Sequence, residues 1–219
     1  MRRHNYRLWK YAIFSMMLIV TLMAIGYSAL SQSLNVSTTT TVQQSLDWMI
    51  KFSGTYNVVP LSAAASSVSC ASPTITNDSA TLNTIHLSAA GDGCKYELQV
   101  SNTGDIGGLL NAATTVVNTN TSGYTCSQVS SGKVLSCTIS GDDSEILVFP
   151  SSNSAITAST LGSSTASTIA TSYVDPLINT VLGAGTSTNV YLYVFLRGTP
   201  ASTTFSGLSF TTTISYAQN

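Results

Sequence analysis

Side chains able to do chemistry are few and scattered in this sequence. Beyond residue 31 there is a single histidine, His86, so any Ser-His-Asp triad would have to be centred on it. Serines abound, but no GxSxG elbow occurs, and abundance does not supply geometry. One imidazole cannot build a two-His zinc site, and neither HExxH nor CxxC is present. A lone histidine in a strand-like segment reads as structural. The densest carboxylates, Asp142, Asp143 and Glu145 in "GDDSE", could hold a calcium ion, yet they lack the spacing of an EF-hand loop. An acidic turn between strands is the simpler meaning. Asp92 and Asp105 read as turn formers, because Asp side chains cap nearby backbone N–H groups. No catalytic residue, metal ligand or cofactor site is expected.

Cysteine chemistry is more informative. The four cysteines, Cys70, Cys94, Cys126 and Cys137, all follow the N-terminal apolar run, and four allow three connectivities. Cys126 and Cys137 bracket "SQVSSGKVLS", a hairpin loop with Ser-Gly at its middle. The expected bridges are therefore Cys126–Cys137 and Cys70–Cys94. Asn35, Asn77 and Asn120 sit in N-x-S/T sequons, which matter only where exported chains are glycosylated.

Arg2, Arg3, Arg7 and Lys10 precede an apolar core, Ala12 to Ile25, and no charge occurs between Tyr11 and Asp47. That is the layout of an export signal, and the basic flank keeps the N-terminus inside. "Ala29-Leu30-Ser31" before Gln32 fits a cleavage site, giving a signal over 1–31 and an exported domain over 32–219. Counting in Tyr27, Ala29 and Leu30, the run can instead stay as an anchor, with residues 11–30 in contact with the membrane. Past the run, Lys51, Lys95, Lys133 and Arg197 face nine acids, a net charge of −5. No basic patch remains for nucleic acid. Ser and Thr make up about 30% of the chain and supply its polarity.

Such a chain must be built from strands, because the hydrophobic period is two. Leu46, Trp48, Ile50 and Phe52 share one face of "LDWMIKF"; Tyr96, Leu98 and Val100 do so in "CKYELQV"; Leu208, Phe210, Ile214 and Tyr216 do so in "GLSFTTTISY". "NVYLYVFLR" is apolar on both faces, with Tyr191, Tyr193 and Phe195 opposite Val190, Leu192, Val194 and Leu196. It should lie centrally and be covered on both sides, although a strip of exposed tyrosines there would suit glycan binding. Weaker strands are expected over 34–42, 73–77, 80–87, 113–118, 133–139 and 144–149. "YVDPLINTVLG" reads as a helix with Pro176 near its first turn, and 151–171 as a long surface excursion. The expected fold is all-β, a jelly-roll-like antiparallel sandwich behind an N-terminal hydrophobic helix.

"LSAAGDGCKYELQVSNTGDIGGLL", residues 87–110, resembles the TasA/camelysin-like bacterial exported proteins. The likeness rests on Gly91 and Asp92 in a turn, a strand, then Asn102, Thr103 and Gly104 before a small-residue segment. "GYSALSQSLNVS", the Trp48 strand and "FTTTISYAQ" are similar in order; the four cysteines depart from the fibre-forming members. The resemblance implies an exported jelly-roll domain that often assembles into biofilm-matrix fibres, and the expected function is a non-enzymatic structural or adhesive surface protein that self-associates or joins other surface proteins. The resemblance also implies a mature N-terminal strand that completes a neighbour's sheet. Segment 33–42 has the form for this, since Leu34, Val36 and Val42 share one face of an uncharged, extended stretch. It can equally be the first strand of its own sheet, or a tether. The metalloprotease activity described for camelysin-like relatives has no zinc motif here to support it. A carbohydrate-binding surface module, or less readily a hydrolase on His86, are the alternative functions.

Overall fold

The structure is a computed structural model and describes residues 15–19, 49–62, 68–83, 86–120, 123–138, 141–198 and 208–218. The chain divides into two compact units, 1–43 and 44–219. In the first, residues 15–19 are helical, and Met16, Met17, Leu18 and Ile19 are exposed. Among the described residues no helix is long and apolar enough to cross a membrane.

The second unit is a β-sandwich of two antiparallel sheets. The strands are β1 (Ile50–Leu61), β2 (Thr74–Ile75), β3 (Ser79–Leu82), β4 (Gly93–Asn102), β5 (Gly108–Asn120), β6 (Thr125–Val129), β7 (Val134–Thr138), β8 (Glu145–Ser151), β9 (Val181–Leu182), β10 (Ser187–Arg197) and β11 (Leu208–Gln218). One sheet has the order β1-β4-β10-β8-β7-β6 and the other β2-β3-β11-β5-β9. Most connections pass from one sheet to the other, the jelly-roll-like habit that wraps both sheets around one core.

Alternation in sequence becomes alternation in burial. In β4, Tyr96, Leu98 and Val100 are buried while Lys95, Glu97 and Gln99 are half-buried on the opposite face. In β11, Leu208, Phe210 and Ile214 point into the core. Thr212 is buried among them, its hydroxyl 2.8 Å from that of Thr115 on β5, so neither polar group is left unsatisfied. Gly93 opens β4 because a Cβ there would lie 2.6 Å from the Val194 carbonyl oxygen of β10.

Strand β10 lies between β4 and β8 and is covered on both faces. Val190, Leu192, Val194 and Leu196 join the core between the sheets, whereas Tyr193 and Phe195 belong to a second core on the outer face. That second core is closed by the segment read as a surface excursion. Its two short helices, α1 (Ala158–Gly162) and α2 (Ala166–Ile169), run on into a π-helical turn (Ala170–Val174). Ile156, Leu161, Ile169 and Val174 cover Phe149, Tyr193 and Phe195. Phe149 stacks on Tyr193 at 5.3 Å between ring centroids.

The helix expected over 173–183 is displaced towards the N-terminus. Thr165 caps it by accepting from the Thr168 N–H at 3.1 Å. Pro176 falls just past its end, where a residue without an N–H stops the ladder. Three cations pin this lid to the sheet. Lys95 donates to the Ser154 carbonyl at 3.2 Å, Lys133 pairs with Asp175 at 2.5 Å, and Arg197 joins the Ser164 carbonyl to the carboxylate of Glu145.

Candidate functional site

The feature that stands apart is a seam between the sheets along one side of the sandwich. Strand β3 pairs with only Phe210–Thr213 of β11. The reason is local: Thr76 donates its N–H to the Ser79 carbonyl at 2.9 Å, so the chain turns at 76–79 and β3 begins opposite Thr213. Strand β11 continues to Gln218, paired with β5 on its other side. Among the described residues no strand pairs with Ile214–Gln218 on the side of β3.

Beneath that uncovered stretch is a cavity of about 220 Å³, lined by the apolar Ile50, Phe52, Val100, Ile214 and Tyr216 and by the polar Lys51, Asn77 and Asp78. It faces edge strand β1, whose Phe52 N–H donates to the Asn77 carbonyl at 2.8 Å. Burial pushes the Tyr216 phenol up to about 12, so the ring stays neutral. A strand edge left open among the described residues, above a slot with an apolar floor and polar residues in its lining, can accept one more strand, with backbone pairing for affinity and a side chain for the slot. A dry cavity of about 150 Å³ already takes a benzene-sized group, so 220 Å³ suits a large aliphatic side chain.

The donor candidates Leu34, Val36 and Val42 lie outside the described residues, as do Asn35, Leu46, Trp48 and the Ala29–Ser31 stretch. Cys70 is joined to Cys94 and Cys126 to Cys137, the latter across directly paired positions of β6 and β7. Two disulfides are compatible with an extracellular protein.

His86 is exposed and sits in an isolated bridge, exchanging backbone hydrogen bonds with Ser69 at 3.1 and 3.0 Å. Among the described residues its imidazole meets no carboxylate or hydroxyl. Glu145 is committed to Arg197 and to the Ser136 hydroxyl at 2.5 Å, so it does not combine with Asp142 and Asp143 into an open carboxylate cluster. Asp142 instead accepts the Ser144 N–H at 2.9 Å, an acidic turn. Asn77 and Asn120 are exposed.

The two turns flanking β4 are held by buried polar side chains. The Asp92 carboxylate accepts from the N–H groups of Ser88 (3.0 Å) and Ala89 (2.9 Å) and from the Ser62 hydroxyl (3.2 Å). In the second turn the organiser is Asn102, not the exposed Asp105. It donates to the carbonyls of Ile106 (2.7 Å) and Leu182 (3.2 Å) and accepts from the Gly104 N–H (3.0 Å).

The strip Tyr191, Tyr193 and Phe195 does not form a glycan platform. Tyr193 and Phe195 are fully buried under the lid, and Tyr191 is half-buried. Compared with protein-family models, with curated proteins and with solved structures, the chain matches none.

Proposed function

We propose that this protein is a non-enzymatic, exported structural subunit of the cell surface that assembles by strand donation. In this reading the segment carrying Leu34, Val36 and Val42 pairs with Ile214–Gln218 of a neighbouring copy. The observation that carries it is that, among the described residues, Ile214–Gln218 of β11 has no strand partner on the side of β3, above the cavity at Ile214 and Tyr216. Five strand residues span about 17 Å, enough for a donor to place two alternate side chains towards the slot. The likeness to TasA/camelysin-like exported proteins points the same way. The apolar surface of Met16 to Ile19 is consistent with a segment that meets the export machinery or the membrane.

Size analysis across a concentration series tests this reading. The intact mature chain should form polymers, a chain lacking residues 32–42 should stay folded and monomeric, and Val36→Asp should raise the assembly threshold at least tenfold. If the intact chain remains monomeric at high concentration and the deletion unfolds it, segment 34–42 belongs to its own sheet and strand donation is wrong.

A further inference from the structure

We propose that Asn77 is the residue at which an oligosaccharide is N-linked to this protein, and that the Asn120 sequon is not used. The proposal rests on the export proposed for the chain, but not on strand donation. Asn77 opens the sequon Asn77-Asp78-Ser79, and Asn120 opens Asn120-Thr121-Ser122. Asn35, in the remaining sequon, lies outside the described residues. As motifs the two described sequons are equivalent; the surroundings of their amides are not.

Asn77 and Asp78 form the tip of the hairpin between β2 and β3, and both are exposed. Thr76 and Ser79 close that tip: their hydroxyl oxygens lie 2.8 Å apart, and the Ser79 N–H donates to Thr76 Oγ1 at 3.2 Å. The Asn77 carbonyl is held by the Phe52 N–H, but its side-chain amide meets no hydrogen-bond partner among the described residues. Behind the tip, among the described residues, β2 pairs with β3 at two positions, Thr74 with Thr81 and Ile75 with Ala80. So short a ladder opens locally at little cost, which lets the sequon enter the site of a transferase.

Asn120 is exposed too, but its amide is committed. Oδ1 accepts the Tyr124 N–H at 3.3 Å and Nδ2 donates to the Tyr124 carbonyl, so the side chain spans the turn into β6. Tyr124 is buried in the core, and freeing the Asn120 amide means undoing that turn. N-linkage breaks the bond between sugar C1 and a phosphate oxygen of a polyprenyl-diphosphate-linked oligosaccharide and forms one between C1 and Nδ2. The polyprenyl diphosphate leaves with the electron pair, and one amide proton passes to a carboxylate of the transferase. An amide nitrogen shares its lone pair with the carbonyl and is a poor nucleophile, so the side chain must leave its internal partners and be twisted in the transferase site. Asn77 meets that condition as it stands, and Asn120 does not.

Glycopeptide mass spectrometry on the reduced chain, extracted from its native cell surface, tests the assignment. Trypsin cuts after Lys51, Lys95 and Lys133, so Asn77 and Asn120 fall on different peptides, 52–95 and 96–133. The first should carry the added mass of a whole number of sugar units, located on Asn77 by fragmentation, and the second none on Asn120. Asn77→Gln and Ser79→Ala should each abolish the shift, whereas Ser79→Thr, which keeps the sequon and its hydroxyl, should retain it. Where a variant fails to fold, the map of the unsubstituted chain decides. Asn77 left unmodified in chain recovered from the surface overturns the proposal, as does sugar on Asn120. A chain found only inside the cell overturns the export reading along with it, which tells the two failures apart.

Discussion

Tyr96 is fully buried between the sheets, and its hydroxyl meets no hydrogen-bond partner among the described residues. Leaving such a group dry costs about 1–3 kcal/mol, because water solvates it in the unfolded chain. Tyr96→Phe should therefore leave stability unchanged or raise it by up to about 2 kcal/mol in denaturant unfolding. A loss of that size would mean that the hydroxyl has a partner. Tyr193 is the contrast, since it donates to the Asn153 carbonyl at 2.7 Å. Its phenol is pushed up to about 12 chiefly by burial, as is that of Tyr216. Both groups hold their protons more tightly folded than unfolded, where the phenol titrates near 10. Their contribution is thus complete below about pH 10 and is lost as pH rises towards 12, because unfolding then releases protons. Stability measured from pH 9 to 12 should fall, and Tyr216→Phe should flatten part of that fall.

At the level of elements, the lid is the part whose stability can be isolated. Ile169 is fully buried against the outer face of the sheet, and its helix is too short to stand alone. Ile169→Ala should cost about 2–4 kcal/mol and raise hydrogen exchange first across 156–174, ahead of β4 and β10. Uniform exchange across the sandwich would show instead that lid and sheet unfold as one. The sequence was readable where a period of two met half-buried strands, as in β4 and β11, and where β10 was apolar on both faces. The lid was hidden because its helices are five and four residues long, mostly Ser, Thr and Ala with one buried apolar residue each, too short to show a helical period. Pro176 misled for a related reason, since proline both opens and ends helices and only the Thr165 cap decides between them. The seam beside β11 was not readable at all. Tyr216 and Ile214 were legible as inward-facing, but the edge left uncovered among the described residues follows from a β3 of four residues against eleven in β11.

Over the whole molecule, the two disulfides do different work although both close local segments. Cys126 and Cys137 join adjacent strands within one sheet, on the hairpin at its β6 edge. Cys94 belongs to β4 of the six-stranded sheet, while Cys70 lies between β1 and β2 on the path into the five-stranded one. That bridge therefore ties β4 to the segment that leads into the five-stranded sheet, and the described residues show two side-chain ion pairs besides it as cross-links. Chain entropy alone separates the two only slightly, at about 3.4 kcal/mol for the 24-residue separation and about 2.8 for the 11-residue one. Location should separate them more, because an edge hairpin can open while the core stays closed. The paired change Cys70→Ala with Cys94→Ala should lower global unfolding stability by about 3 kcal/mol, a large share of the roughly 5–15 kcal/mol of a domain. Cys126→Ala with Cys137→Ala should lower it by less, and speed hydrogen exchange mainly in β6 and β7. Denaturant unfolding and exchange on the same two variants decide the matter. Equal global losses with no extra exchange in β6 and β7 would show that the hairpin does not open independently of the sandwich.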